Sequence, residues 1–139
     1  MSKTLNTLLK ISQKKLDDQT QVLAELNNKK QAFVDEKERL KGSIVSEIDN
    51  AVNDTFAYQM AQNYAAKATA GILYIDDQII KVNELIAQEK GVLNGIFLEK
   101  KRHEILLENY KKKKKAEYER KVQAQMDDFN SIAFINKAK

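Results

Sequence analysis

The sequence predicts an all-α fold, a long antiparallel two-helix coiled-coil hairpin whose second helix is longer than its first. Three observations carry that expectation. The 139-residue chain has no Pro and four Gly, at positions 42, 71, 91 and 95, so almost nothing interrupts a helix. Two long segments repeat apolar residues at spacings of three and four, the stripe left by a helix that buries one face. Hydrophobic residues are 42% of the chain and charged residues 32%. That balance suits one buried seam under a large wet surface better than a compact globule.

The first helix is expected over roughly residues 4–50. Leu9, Leu16, Leu23, Leu26, Phe33, Leu40, Ile44 and Ile48 mark a single seam. Between them lie Asp17-Asp18, Lys29-Lys30 and the run Asp35-Glu36-Lys37-Glu38-Arg39, mixed charge that belongs on solvated faces. The pattern fades at Asn50-Ala51-Val52-Asn53-Asp54-Thr55, whose short polar side chains compete for backbone hydrogen bonds and so mark a turn and a helix cap. The bend is placed between about residues 50 and 63, with Phe56 to Ala70 read as loop or as the first turns of the next helix. The second helix is expected over roughly residues 62–136, with Ile72, Ile75, Ile79, Val82, Ile86, Leu93, Ile96, His103, Leu107 and Tyr110 in one register and Glu89 breaking a step. Residues 1–139 read as a single coiled-coil domain.

Two helices joined by a short bend pack antiparallel. At about 1.5 Å per residue the expected helices are about 70 Å and about 110 Å long. If residue 50 faces residue 62, Thr4 faces roughly Glu108 and the chain after about Lys111 has no partner within the hairpin. That segment nevertheless keeps a stripe at Tyr118, Val122, Met126, Phe129 and Ala133. A lone amphipathic helix is marginal in water, so the segment is expected to dock on another protein or on a second copy.

Little in the chain suggests chemistry. There is no Cys, which removes disulfides and thiolate metal sites. His103 is the sole histidine and lies at a seam position rather than among converging partners. The carboxylates are dispersed and interleaved with lysines, as solvated ion pairs are. No phosphate loop, dinucleotide fingerprint, zinc-protease or nucleophile-elbow motif occurs. The chain therefore reads as a non-enzyme without cofactor or metal. Its first residues lack a secretory apolar core, and no apolar run approaches the ~20 residues that cross a bilayer, so a cytoplasmic location is expected.

Net charge is +4, but its distribution is uneven: Lys100-Lys101-Arg102 and Lys111, Lys112, Lys113, Lys114 and Lys115 fall in the second half. Five consecutive lysines wrap more than a helical turn, so a solvated face competes with capture of an acidic partner. A second candidate surface is the face carrying Tyr64, Ala68, Gly71 and Ile75, where small residues either close the seam or form a shallow groove for a partner.

The string Glu119-Arg120-Lys121-Val122-Gln123-Ala124-Gln125-Met126-Asp127-Asp128-Phe129 resembles the signature that closes FliJ-family proteins, the flagellar export component and its injectisome counterparts of the YscO type. Arg120 and Asp127 match it, and Asp128 stands where a Glu is usual. The resemblance implies a central-stalk-like coiled coil that inserts into a FliI-like hexameric export ATPase and promotes its assembly or activity. It further implies contacts with a FlhA-like export gate and with export chaperones, and peripheral association with the membrane-embedded apparatus. On this resemblance Lys111 to Lys115, Arg120, Met126 and Asp127 belong to the ATPase-engaging end. Tyr64, Ala68, Gly71 and Ile75, with Leu40 and Ile44 opposite, belong to the gate-contacting face. The lysine run departs from the family pattern. Two other classes fit the residues: a dimeric coiled-coil scaffold or chaperone, and a basic coiled coil that binds nucleic acid.

Overall fold

Long apolar stripes without Pro give long helices. The computed structural model, which describes residues 2–138, contains α1 (Ser2–Asn50, 49 residues) and α2 (Thr55–Ala138, 84 residues). No strand occurs among the described residues. The helices form an antiparallel hairpin, and the second is the longer.

The connection is tighter than the sequence pattern suggests. Helix α2 starts at Thr55 rather than near residue 62, so Phe56 to Ala70 is helical throughout. The cause is Asp54. Its Oδ1 accepts the Phe56 and Ala57 backbone N–H groups at 3.0 and 3.3 Å, and its carbonyl accepts Tyr58 N–H at 2.8 Å. One carboxylate thus satisfies two of the four orphan donors at the start of α2. Before it, Ala51 N–H reaches the Ile48 carbonyl at 3.2 Å and Asp54 N–H the Ala51 carbonyl at 3.3 Å. No described residue takes a positive φ, so the turn needs no Gly.

The chain divides into two compact units. The first, Leu16–Gly95, holds the connection and a core of Leu23, Val82 and Ile86, against which Leu26, Phe33 and Leu93 pack. Ala51, Ala61, Ala68 and Ile75 are buried toward the turn. Polar residues share this seam. The Gln19 amide donates to the Glu89 carbonyl at 3.1 Å and to the Glu89 carboxylate, while Lys37 Nζ lies 2.6 Å from Asp76. The apparent break in the α2 pattern at Glu89 is therefore a cross-helix polar layer.

The second unit takes the chain up to Lys15 and from Ile96 onward. Its paired part buries Leu5 and Leu107. Ser12 Oγ lies 3.2 Å from His103 Nδ1, Lys100 Nζ donates to Gln13 Oε1 at 2.6 Å, and Lys15 faces Glu99 at 4.0 Å. Among the described residues no buried side-chain polar atom lacks a partner.

Candidate partner-binding surfaces

Within the second unit, pairing stops at Tyr110. Every described side chain from Lys111 to Lys137 is exposed except Val122, which is half-buried. The apolar positions stand in solvent: Tyr118 is 69% exposed, Met126 56%, Phe129 72% and Phe134 74%. A stripe this open contrasts with the buried Leu107 at the end of the paired region. Nine of the 24 basic residues but four of the 20 acidic ones follow Tyr110, so the segment carries the whole positive excess of the chain.

The lysine run is partly engaged within its own helix. Lys112 pairs with Glu108 at 3.2 Å, and Lys114 Nζ sits 5.6 Å from the centre of the Tyr110 ring. Arg120 lines a shallow depression with Glu117, Lys121 and Ala124, and Asp127 lines another with Asn130, Ser131, Phe134 and Ile135. Asp127 Oδ1 accepts the Gln123 amide at 3.0 Å. Arg120, Met126 and Asp127 are thus available to a partner, on one helix and without an opposing element of the hairpin.

The six residues assigned to the other face are distributed differently. Tyr64 is exposed, Leu40, Ile44 and Gly71 are half-buried, and Ala68 and Ile75 are buried in the seam at 6% each. Leu40 Cδ1 approaches Gly71 closely: a Cβ added there would meet it at 3.6 Å, ordinary contact. A partner that leaves the helices together can therefore touch Tyr64 and the edges of Leu40, Ile44 and Gly71, while Ala68 and Ile75 support them from beneath. Beside this face Arg39 donates to both Glu36 oxygens, at 2.9 and 2.6 Å. That fork holds the Glu36 carboxyl below the usual carboxylate range and raises the Arg39 guanidinium, with a smaller contribution from Tyr64.

One surface escaped the sequence reading. At the turn, Glu47, Asn50, Ala51, Phe56, Ala57, Met60, Ala61 and Tyr64 line a shallow cavity of about 450 Å³. The overlooked clue is a charge gap, since no Lys, Arg or His lies between Lys41 and Lys67.

Among the described residues no group of three or more His, Asp or Glu side chains could hold a metal ion, and no helix is long and apolar enough to cross a membrane. No curated protein and no solved structure matches the chain. The family model of the flagellar FliJ protein matches residues 1–139, the full length of the sequence. With its helical hairpin and longer second helix, the chain belongs to the FliJ family, a family of flagellar export-apparatus components.

Proposed function

We propose that this chain is the central-stalk-like component of the export machinery: a non-enzymatic coiled coil that engages and stimulates the export ATPase ring. The unpaired segment after Tyr110 is its working end. The observation that carries this reading is that segment's exposure, an apolar stripe beside a positive excess with no opposing helix among the described residues. An unpaired amphipathic helix gains most by burying its stripe elsewhere. A ring of subunits offers a lining that a single helix can enter. The exposed Tyr64 and the edges of Leu40, Ile44 and Gly71 are the surface we assign to the export gate, and export chaperones are the third partner class. In this role the protein is cytoplasmic and reaches the membrane only through the apparatus.

The test is ATP hydrolysis by the export ATPase of the same organism, with and without this protein. Stimulation that disappears when the chain is cut after Tyr110 supports the reading. No stimulation across a range of ATPase concentrations overturns it. Replacing Lys111 to Lys115 with Gln separates charge from shape, because an electrostatic end loses stimulation at low salt and a purely apolar one keeps it. A dimeric scaffold would use the same exposed stripe, and sedimentation that shifts with protein concentration and reverts on truncation would favour it.

A further inference from the structure

The turn end of the hairpin holds no basic residue and exposes large apolar side chains. Phe56 is 73% exposed, Met60 53% and Tyr64 37%, and they recur at intervals of four along α2, so they stand on one side of the helix. Between them and Glu47 and Asn50 of α1 lies the cavity of about 450 Å³, floored by the buried Ala51 and Ala61. A floor of small residues beside one tall apolar wall has the form of a groove that accepts the apolar face of a helix. Met60 adds an adaptable contact.

The electrostatics of this end are one-signed. Across residues 42–66 the charged residues are Glu47, Asp49 and Asp54, with no cation. The C-terminus of α1 adds partial negative charge, and its last turn holds no basic residue to offset it. The positive N-terminus of α2 is already met by the Asp54 carboxylate. A negative field over an apolar groove disfavours nucleic acids and anionic membranes and attracts cations that carry an apolar face.

We infer that the groove lined by Phe56, Met60 and Glu47 at the turn is a docking site for a basic amphipathic helix of another protein. Its apolar side chains enter over Ala51 and Ala61, and a Lys or Arg side chain reaches Glu47, the carboxylate that lines the groove. Within the chain's own segment after Tyr110, which is basic overall, the stretch from Met126 to Phe129 is a poor occupant. Its stripe at Met126 and Phe129 is flanked by Asp127 and Asp128, which would face the acids of the groove. The inference stands apart from the ATPase reading. It also leaves Tyr64 untouched in its test, so failure here does not bear on the gate-contacting face.

The probe is a Leu/Lys amphipathic peptide bearing one Trp, titrated into the full chain; the protein has no Trp, so the emission reports the peptide alone. The parent chain is expected to bind it, and a Leu/Glu peptide of the same pattern is expected not to bind. Phe56→Ser with Met60→Ser, and separately Glu47→Lys, should each weaken binding by about tenfold or more while circular dichroism stays unchanged. Asp127→Asn with Asp128→Asn should leave it as in the parent. No binding by the parent, equal binding of the Leu/Glu peptide, parent-like affinity in either groove variant, or an equal loss in the Asp127/Asp128 variant overturns the proposal. So does self-association of the chain abolished by Phe56→Ser, which would assign the groove to a second copy.

Discussion

Ser12 Oγ lies 3.2 Å from the Nδ1 atom of His103, across 91 residues of sequence. Ser12 is the most buried of the described side chains, at 2% exposure, although it is polar and small. It occupies a seam position three residues after Leu9 and four before Leu16. The small serine leaves room for the imidazole, and the hydroxyl gives the ring nitrogen a partner. The contact sets the register of the terminal unit, because a slip along either helix strands a buried polar group. Ser12→Ala should cost about 1 kcal/mol, and Ser12→Leu about 1–3 kcal/mol through overpacking. Ser12→Ala with His103→Leu should recover much of the loss, since removing both partners leaves nothing unsatisfied. Urea unfolding of the four proteins checks this. Equal stability of Ser12→Leu and the parent would mean the site is not tightly packed.

Asp54 begins the second helix. Its Oδ1 accepts from two successive N–H groups, Phe56 at 3.0 Å and Ala57 at 3.3 Å. Asp54→Ala should destabilise the hairpin by about 1 kcal/mol and fray the residues after it, while Asp54→Asn or Asp54→Ser should recover most of that, as both remain good caps. Hydrogen exchange at Phe56 and Ala57, with the melting midpoint, reads both effects. Unchanged exchange in Asp54→Ala would show that water or the turn itself caps the helix.

Much of this structure was legible in the chain because helical periodicity is a local property. Leu23, Val82 and Ile86 stand in the pattern and form the core. The polar layers were not legible. Ser12, Gln19 and Lys37 sit at seam spacing, but only the opposing residue, His103, Glu89 or Asp76, reveals that they face inward. The start of α2 was blurred because Asn50, Asn53 and Asp54 all suit turns and caps, and which one caps depends on the fold of the turn. For the candidate surfaces, the unpartnered end followed from counting residues against a register. The face around Tyr64 was harder: Ala68 and Ile75 turn into the seam while Tyr64 turns out, a difference set by one step of helix rotation. The cavity at the turn draws on both helices, so no single window contains it.

Gly91 and Gly95 lie within the continuous span of α2, and a Cβ added at either would meet nothing within 4 Å. Neither position needs a glycine for close approach or for a positive φ. Each therefore weakens the helix through backbone entropy alone. Gly91→Ala and Gly95→Ala should each stabilise by about 1 kcal/mol, and the double variant by more than either alone. Gly71→Ala is a graded control, because its new methyl would meet Leu40 Cδ1 at 3.6 Å. Thermal melts of the variants check the order. A loss of stability in Gly91→Ala or Gly95→Ala would mean that α2 is not a continuous helix there in solution.

Removing everything after Tyr110 should leave the hairpin folded. Leu5 and Leu107, 8% and 9% exposed, are the outermost buried apolar side chains of the terminal unit, and Tyr110 beyond Leu107 is half-buried. All inter-helix hydrogen bonds and ion pairs described above involve α2 residues no later than His103. The removed segment contributes helical signal but little buried area, and a lone helix melts gradually rather than cooperatively. The full chain should therefore lose ellipticity in two parts, a gradual decline on warming and then a cooperative step. The truncated chain should keep only the step, its midpoint within about 4 °C of the parent. Circular dichroism on both chains at one concentration, with calorimetry for the step, makes the comparison. A truncated chain without a cooperative transition would mean that residues after Tyr110 fold back onto the N-terminal end of α1, and the pairing register would have to shift accordingly.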